Sequence, residues 1–498
     1  MKKLLRRLAW PLLATVVLVL LLDQESAWAR PGGGQSYSGD RHGDGGGGGN
    51  GGGDFSGELI YLLIRLIFFY PQVGIPLALI VAFVIWRMRN RGFESWDTSA
   101  RHPSTPAAAA ARSRPKLRLD ALFAIDPDFS PIVFEDFAYR LYASVQRARS
   151  DRAALEGLAP YLAANVRETL AHEEPVGVPT TQVVVGAMRI ARVDVPEAQS
   201  MVAVSVVYES NLSVADRTYF LRESWTLTRD KSARTRPPEQ TERLGCPNCG
   251  APFESSDSAR CNYCNEVVNN GRFAWLVTER RVVSREQRPP ALTSDVQEVG
   301  TNAPSLVSPD QQQAWQALAA RDRALNEADL LTRISLIFDK LNHAYSAREL
   351  QPARGLLSDG MFDYLRYWTD AYRSQSLRNV LETAHIARVQ RVKVQSDRYF
   401  DAITFRVWAS GLDYTIDVRT NRLVSGSNQR PRDYSEYWTL IRAAGVRGQA
   451  GTSANCPSCA APLSVTMAGN CSHCSAHITR GEFDWVLSKI EQDEAYEG

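Results

Sequence analysis

The chain has 498 residues, 44% of them hydrophobic, with a formal net charge of +2. That composition excludes a wholly disordered chain, and the length exceeds what one ordinary domain needs. The near-zero charge, with no Lys/Arg stripe carrying interleaved aromatics, argues against nucleic-acid binding.

The N-terminus is read as a topology device. Residues 1–29 have the layout of a secretory signal peptide: Lys2, Lys3, Arg6 and Arg7, then an apolar run from Leu8 to Leu22, then Ala27-Trp28-Ala29. Residues 30–57 are a glycine-rich linker that cannot bury a core. Residues 66–86 are expected to be a transmembrane helix, since their length fits a bilayer crossing. Arg87, Arg89 and Arg91 follow at once, which places the remainder on the cytoplasmic side of the membrane, single-pass if the signal is cleaved. Residues 87–115 form a basic Ala/Pro/Ser tether suited to anionic lipid.

Two globular units are expected beyond it, at 116–240 and 313–450, with a Pro/Ser/Thr/Gln-rich linker at 286–312. Each begins with helical periodicity: Phe134, Phe137, Leu141, Tyr142 and Val145 share one face, as do Ile334, Ile337, Phe338, Leu341 and Tyr345. Alternating strands follow, as in Val202, Val204, Val206 and Tyr208. Helices first and antiparallel strands after is an α+β order.

All eight cysteines belong to two copies of one pattern. Cys246, Cys249, Cys261 and Cys264 form the first set, in residues 241–285; Cys456, Cys459, Cys471 and Cys474 form the second, in residues 451–498. The constant offset between the sets marks an internal duplication. Two Cys-x-x-Cys knuckles supply four soft ligands, so each set is expected to be a structural Zn2+ site in a small ribbon, with iron as the other metal that fits. Gly250 follows the first knuckle where a positive φ is easiest for glycine; Ala460 stands there in the second, which is expected to be strained or differently turned. His473 and His477 are read as bystanders. Gly271-x-Phe273-x-Trp275 recurs as Gly481-x-Phe483-x-Trp485, apolar residues expected to dock each ribbon.

Further identities tie the units together: Ile190-Ala191-Arg192-Val193 with Ile386-Ala387-Arg388-Val389, and Glu223-x-Trp225-Thr226-Leu227 with Glu436-x-Trp438-Thr439-Leu440. On a strand, Glu223 and Glu436 share their face with apolar neighbours, which is costly unless each is paired. Arg192 and Arg388 are the expected partners. The pair is read as structural; the alternative is a pocket carboxylate acting as acid or base. No Ser/His/Asp set, phosphate loop or catalytic metal pattern appears, so no catalytic residue is assigned.

The chain resembles the bacterial branch of the Tim44-like family. The resemblance rests on Asp126-Pro127-x-Phe129, the Glu-x-Trp-Thr strand, and the order of signal, glycine tract, span and domain. It implies a cone of helices on a curved antiparallel sheet, similar to the nuclear-transport-factor-two-like fold. It also implies a membrane-associated, non-enzymatic scaffold that binds a partner protein or acidic lipid, and it connects the chain to protein transport. The ribbons and the tandem arrangement depart from the mitochondrial members, and the second unit lacks the Asp-Pro-x-Phe opening.

Overall fold

The computed structural model describes residues 119–498, apart from 242, 254–259, 288–291, 293–297, 299, 449, 452–454 and 494. The signal, glycine tract, span and tether expected from the sequence lie outside the described residues. Among those described, no helix is long and apolar enough to cross a membrane.

The first unit opens with α1 (Asp120–Ile125) and α2 (Pro131–Ala148), followed by α3 (Arg152–Gly157) and α4 (Ala164–Ala171). Ser130 starts α2: its hydroxyl accepts from Val133 N at 3.1 Å, and Pro131 takes the first helical position, where its missing N–H costs nothing. Four antiparallel strands follow in simple order: β1 (Thr180–Asp194), β2 (Met201–Val214), β3 (Arg217–Asp230) and β4 (Leu276–Gln287). Phe134, Phe137, Leu141, Tyr142 and Val145 of α2 pack on Val202, Val204, Val206, Trp225 and Leu227 of the sheet, as the two periodicities require.

The second unit repeats the plan. It runs α5 (Gln311–Arg321), α6 (Glu327–Ala347), a 3-10 turn at Gln351–Leu356 and α7 (Asp359–Ser374). Its sheet is β5 (Leu377–Ser396), β6 (Phe400–Asp417), β7 (Arg422–Ala443) and β8 (Val486–Gln492), again antiparallel and in sequence order. The architecture is therefore α+β with two four-stranded antiparallel sheets, and in each unit the cysteine ribbon is inserted before the last strand.

Two features lie beyond the sequence reading. Residues 300–308, within the stretch expected to be an interdomain linker, lie across the second sheet. Arg406 holds them there: its guanidinium donates to the carbonyls of Ala303 at 2.7 Å and Gly300 at 2.9 Å. Ser308 N donates to Val392 O at 2.8 Å. Arg406 also pairs with Asp493 at 2.7 Å, and Tyr496 stacks on Tyr437, so the C-terminal segment covers the same face. The second feature is direct packing between the units. Ile132 and Val133 of α2 meet Phe400, Ala402, Ile441 and Val486. Salt bridges Arg398–Asp128 at 2.6 Å and Lys489–Glu135 at 3.0 Å flank the contact.

Candidate functional site

The cysteine sites are built from paired knuckles. In the first, Gly250 N donates to Cys246 O at 2.9 Å and Asn265 N to Cys261 O at 2.8 Å, closing the two turns. In the second, Ala460 N donates to Cys456 O at 2.8 Å and Ser475 N to Cys471 O at 2.9 Å. Each turn ends in the left-handed region: Gly250 at φ 78°, Asn265 at 58°, Ala460 at 60° and Ser475 at 61°. The Ala460 knuckle therefore has the same turn as its twin, with an alanine held where glycine is favoured.

Within each set the four sulfurs lie within 4.8 Å of one another. Cys246–Cys264 and Cys249–Cys261 are each 3.7 Å apart; Cys456–Cys474 and Cys459–Cys471 are each 3.9 Å apart. Four tetrahedral zinc–thiolate bonds of ~2.3 Å place sulfurs roughly 3.8 Å apart. Disulfides need about 2.05 Å. Each donor set thus fits a closed four-thiolate metal site, in which Cys246 and Cys261, or Cys456 and Cys471, are the buried members. His477 is turned away, its Nε2 lying 3.5 Å from Asp359.

Each ribbon is clamped to its sheet by one repeated arrangement. Gly271 O accepts from Asp230 N and Gly481 O from Ala443 N, both at 2.9 Å. A Cβ on Gly481 would lie 2.8 Å from Arg442 Cα, so glycine is needed for the approach. Trp275 and Trp485 then enter the cores, and Arg229 and Arg442 lie over their rings at 4.6 Å each. Those arginines pair with buried aspartates, Arg229 with Asp126 at 2.8 Å and Arg442 with Asp322 at 2.9 Å. Asp322 therefore does in the second unit what the aspartate of Asp-Pro-x-Phe does in the first. The strand motif extends by two residues, to Glu-x-Trp-Thr-Leu-x-Arg in both copies.

The glutamates are buried as the period-two pattern requires, Glu223 at 0% exposure and Glu436 at 3%. Their partners differ from those expected. Arg192 is 71% exposed and binds Asp194 at 2.7 Å, and Arg388 lies over the Trp408 ring. The physical reason is topology. β2 separates β1 from β3, and β-bulges at Ile190/Arg192 and Ile386/Arg388 re-aim both arginines. Glu223 instead forms a salt bridge with Arg280 of the neighbouring β4 and accepts from Gln146 Nε2 at 2.7 Å. Arg280 also holds Glu173 at 2.6 Å. Burial raises the Glu223 pKa against the pull of Arg280; burial also works against the Arg280 charge, yet its two carboxylates raise its pKa. Glu436 accepts from Trp438 Nε1 and Gln492 Nε2, both at 2.9 Å. Opposite Trp438 stands Ile490, where Arg280 stands opposite Trp225.

Around Glu223 the space is filled by aromatic rings. Tyr142 stacks on Tyr208 at 4.4 Å and lies 4.9 Å from Trp225. The Tyr142 hydroxyl is bonded to Ser210 at 2.7 Å. A carboxylate so enclosed has no face open to a substrate.

Residues 311–451 match the family model described as "Tim44-like domain". Over these residues the second unit is similar to that family. The match runs from α5 through β7 and stops before the ribbon cysteines and β8. No curated protein matches the chain. Among solved structures, an "Ntf2 like protein involved in plasmid conjugation" is 9% identical, with 72% of this chain and 97% of that chain covered. Its TM-score of 0.18 is too low to support a common fold.

Proposed function

We propose that this is a membrane-tethered, non-enzymatic scaffold of the bacterial inner membrane. Its two units, both of Tim44-like, nuclear-transport-factor-two-like type, face the cytoplasm and recognise a partner protein. Zinc fills both four-cysteine sites and stiffens the ribbons. The observation that carries this reading is the state of the two core glutamates. Glu223 is wholly buried and locked by Arg280 and Gln146; Glu436 is held by Trp438 and Gln492. Both carboxyl groups have structural partners. The Tim44-like match of the second unit supports a binding role at the membrane. The basic tether supports attachment to anionic lipid.

The test is crosslinking of the full chain in cell membranes, followed by gentle solubilisation and mass spectrometry. A stoichiometric protein partner is expected, kept by Glu223→Gln and lost with Cys456→Ser. A clean bait that instead pulls down anionic vesicles points to lipid as the ligand. An activity abolished by Glu223→Gln in a protein that still folds would overturn the scaffold reading.

A further inference from the structure

The first unit has an open groove of about 620 Å³. One wall is α4, which presents Asn165, Glu168 and Thr169 at helical spacing, together with its C-cap residue His172. The floor is β4, which presents Arg280 and Val282 two residues apart on one face. β4 is the last strand of its sheet. Among the described residues that edge is met at its start by the bridge from Leu162 to Val277 and by Asn165, whose Nδ2 donates to Thr278 O at 3.3 Å, while Arg285 reaches back to Glu174 O at 2.7 Å. In the second unit the matching bridge joins Leu357 to Leu487, but β8 ends at Gln492 after 7 residues. β4 continues for 12, to Gln287, and exposes Val282 at 39% and Val283 at 46%. Consecutive exposed valines on an edge strand offer a template for a further strand, because edges recruit strands.

From this geometry we infer that the groove between α4 and β4 binds an extended segment of a partner protein, which adds to the sheet as a fifth strand beside β4. Backbone hydrogen bonds to the edge supply the affinity, and alternate side chains enter the groove. Val282 selects an apolar side chain. Glu168 stands on the exposed wall and selects a lysine or arginine; the other carboxylate of the groove, Glu173, is already held by Arg280. The segment therefore alternates apolar and basic residues. This inference rests on the binding-protein reading above and names the kind of partner for one surface.

The probe is a fluorescein-labelled eight-residue peptide alternating valine and lysine, titrated into the full-length protein in detergent and read by anisotropy and amide exchange. Saturable binding is expected, with new protection at residues 279–287. Glu168→Lys, a surface change on α4, should weaken binding about threefold to tenfold. N-methylation of alternate peptide amides should abolish it, since it removes the donors without changing side chains. Binding that survives N-methylation, ignores Glu168→Lys or protects other strands would overturn the inference, as would no binding at millimolar peptide. The readout is local to β4, so its failure is distinguishable from failure to capture a partner in membranes.

Discussion

Replacing Arg280 by leucine tests how the first core is held together. Arg280 is the charge facing two carboxylates, Glu223 at 0% exposure and Glu173 at 2.6 Å. Removing one partner of a buried pair leaves an uncompensated charge and costs about 3–5 kcal/mol, a large share of the roughly 5–15 kcal/mol that a domain has. The loss should depend on pH. Without Arg280, burial keeps the folded-state pKa of Glu223 above its unfolded value, so the native state binds the extra proton. Stability then falls as pH rises above the unfolded carboxylate range, about 4.3, through the folded value. Urea unfolding at pH 5 and pH 8, followed by tryptophan fluorescence, measures this. The variant should lose more at pH 8 than at pH 5. Adding Glu223→Leu should recover part of the loss, because the second unit already has Ile490 where the first has Arg280. A pH-independent loss, or one within about 1 kcal/mol at pH 8, would refute the argument.

Three further outcomes follow from the same geometry. Metal analysis of the purified chain should find two ions, falling to one in Cys456→Ser, with chelation lowering thermal stability. Ala460→Gly should stabilise the second ribbon by about 1 kcal/mol and Gly250→Ala destabilise the first by a similar amount, because both positions need positive φ; thermal melts check the opposite signs. Asp322→Ala should leave Arg442 buried and unpaired, cost about 3–5 kcal/mol and loosen Trp485, seen as faster proteolysis between the ribbon and β7.

Much of this was legible in the sequence. The cysteine spacing picked out the two four-cysteine clusters, and period-two alternation placed Glu223 and Glu436 on buried faces. The helices appeared with the apolar residues that pack the cores. What escaped was set by strand register. Arg280 lies 57 residues after Glu223, beyond a ribbon, and two bulges between β3 and β4 decide which side chains meet. Asp322 escaped because only the aspartate of its motif survives in the second unit. The segment 300–308 escaped because it is held by its own carbonyls, which carry no sequence signature, and by Arg406, which looks like any other strand arginine.

That segment separates the unit of inheritance from the unit of folding. The family match begins at 311 and ends at 451, yet the second sheet takes its fourth strand from 486–492 and its covering from 300–308. A fragment cut at the family limits would lose an edge strand and strip Arg406, Trp408 and Tyr437 of their cover. It would present a wet, unsatisfied sheet that aggregates. A fragment meant to keep the second sheet intact therefore has to include 300–308, the fourth strand at 486–492, and Asp493 and Tyr496.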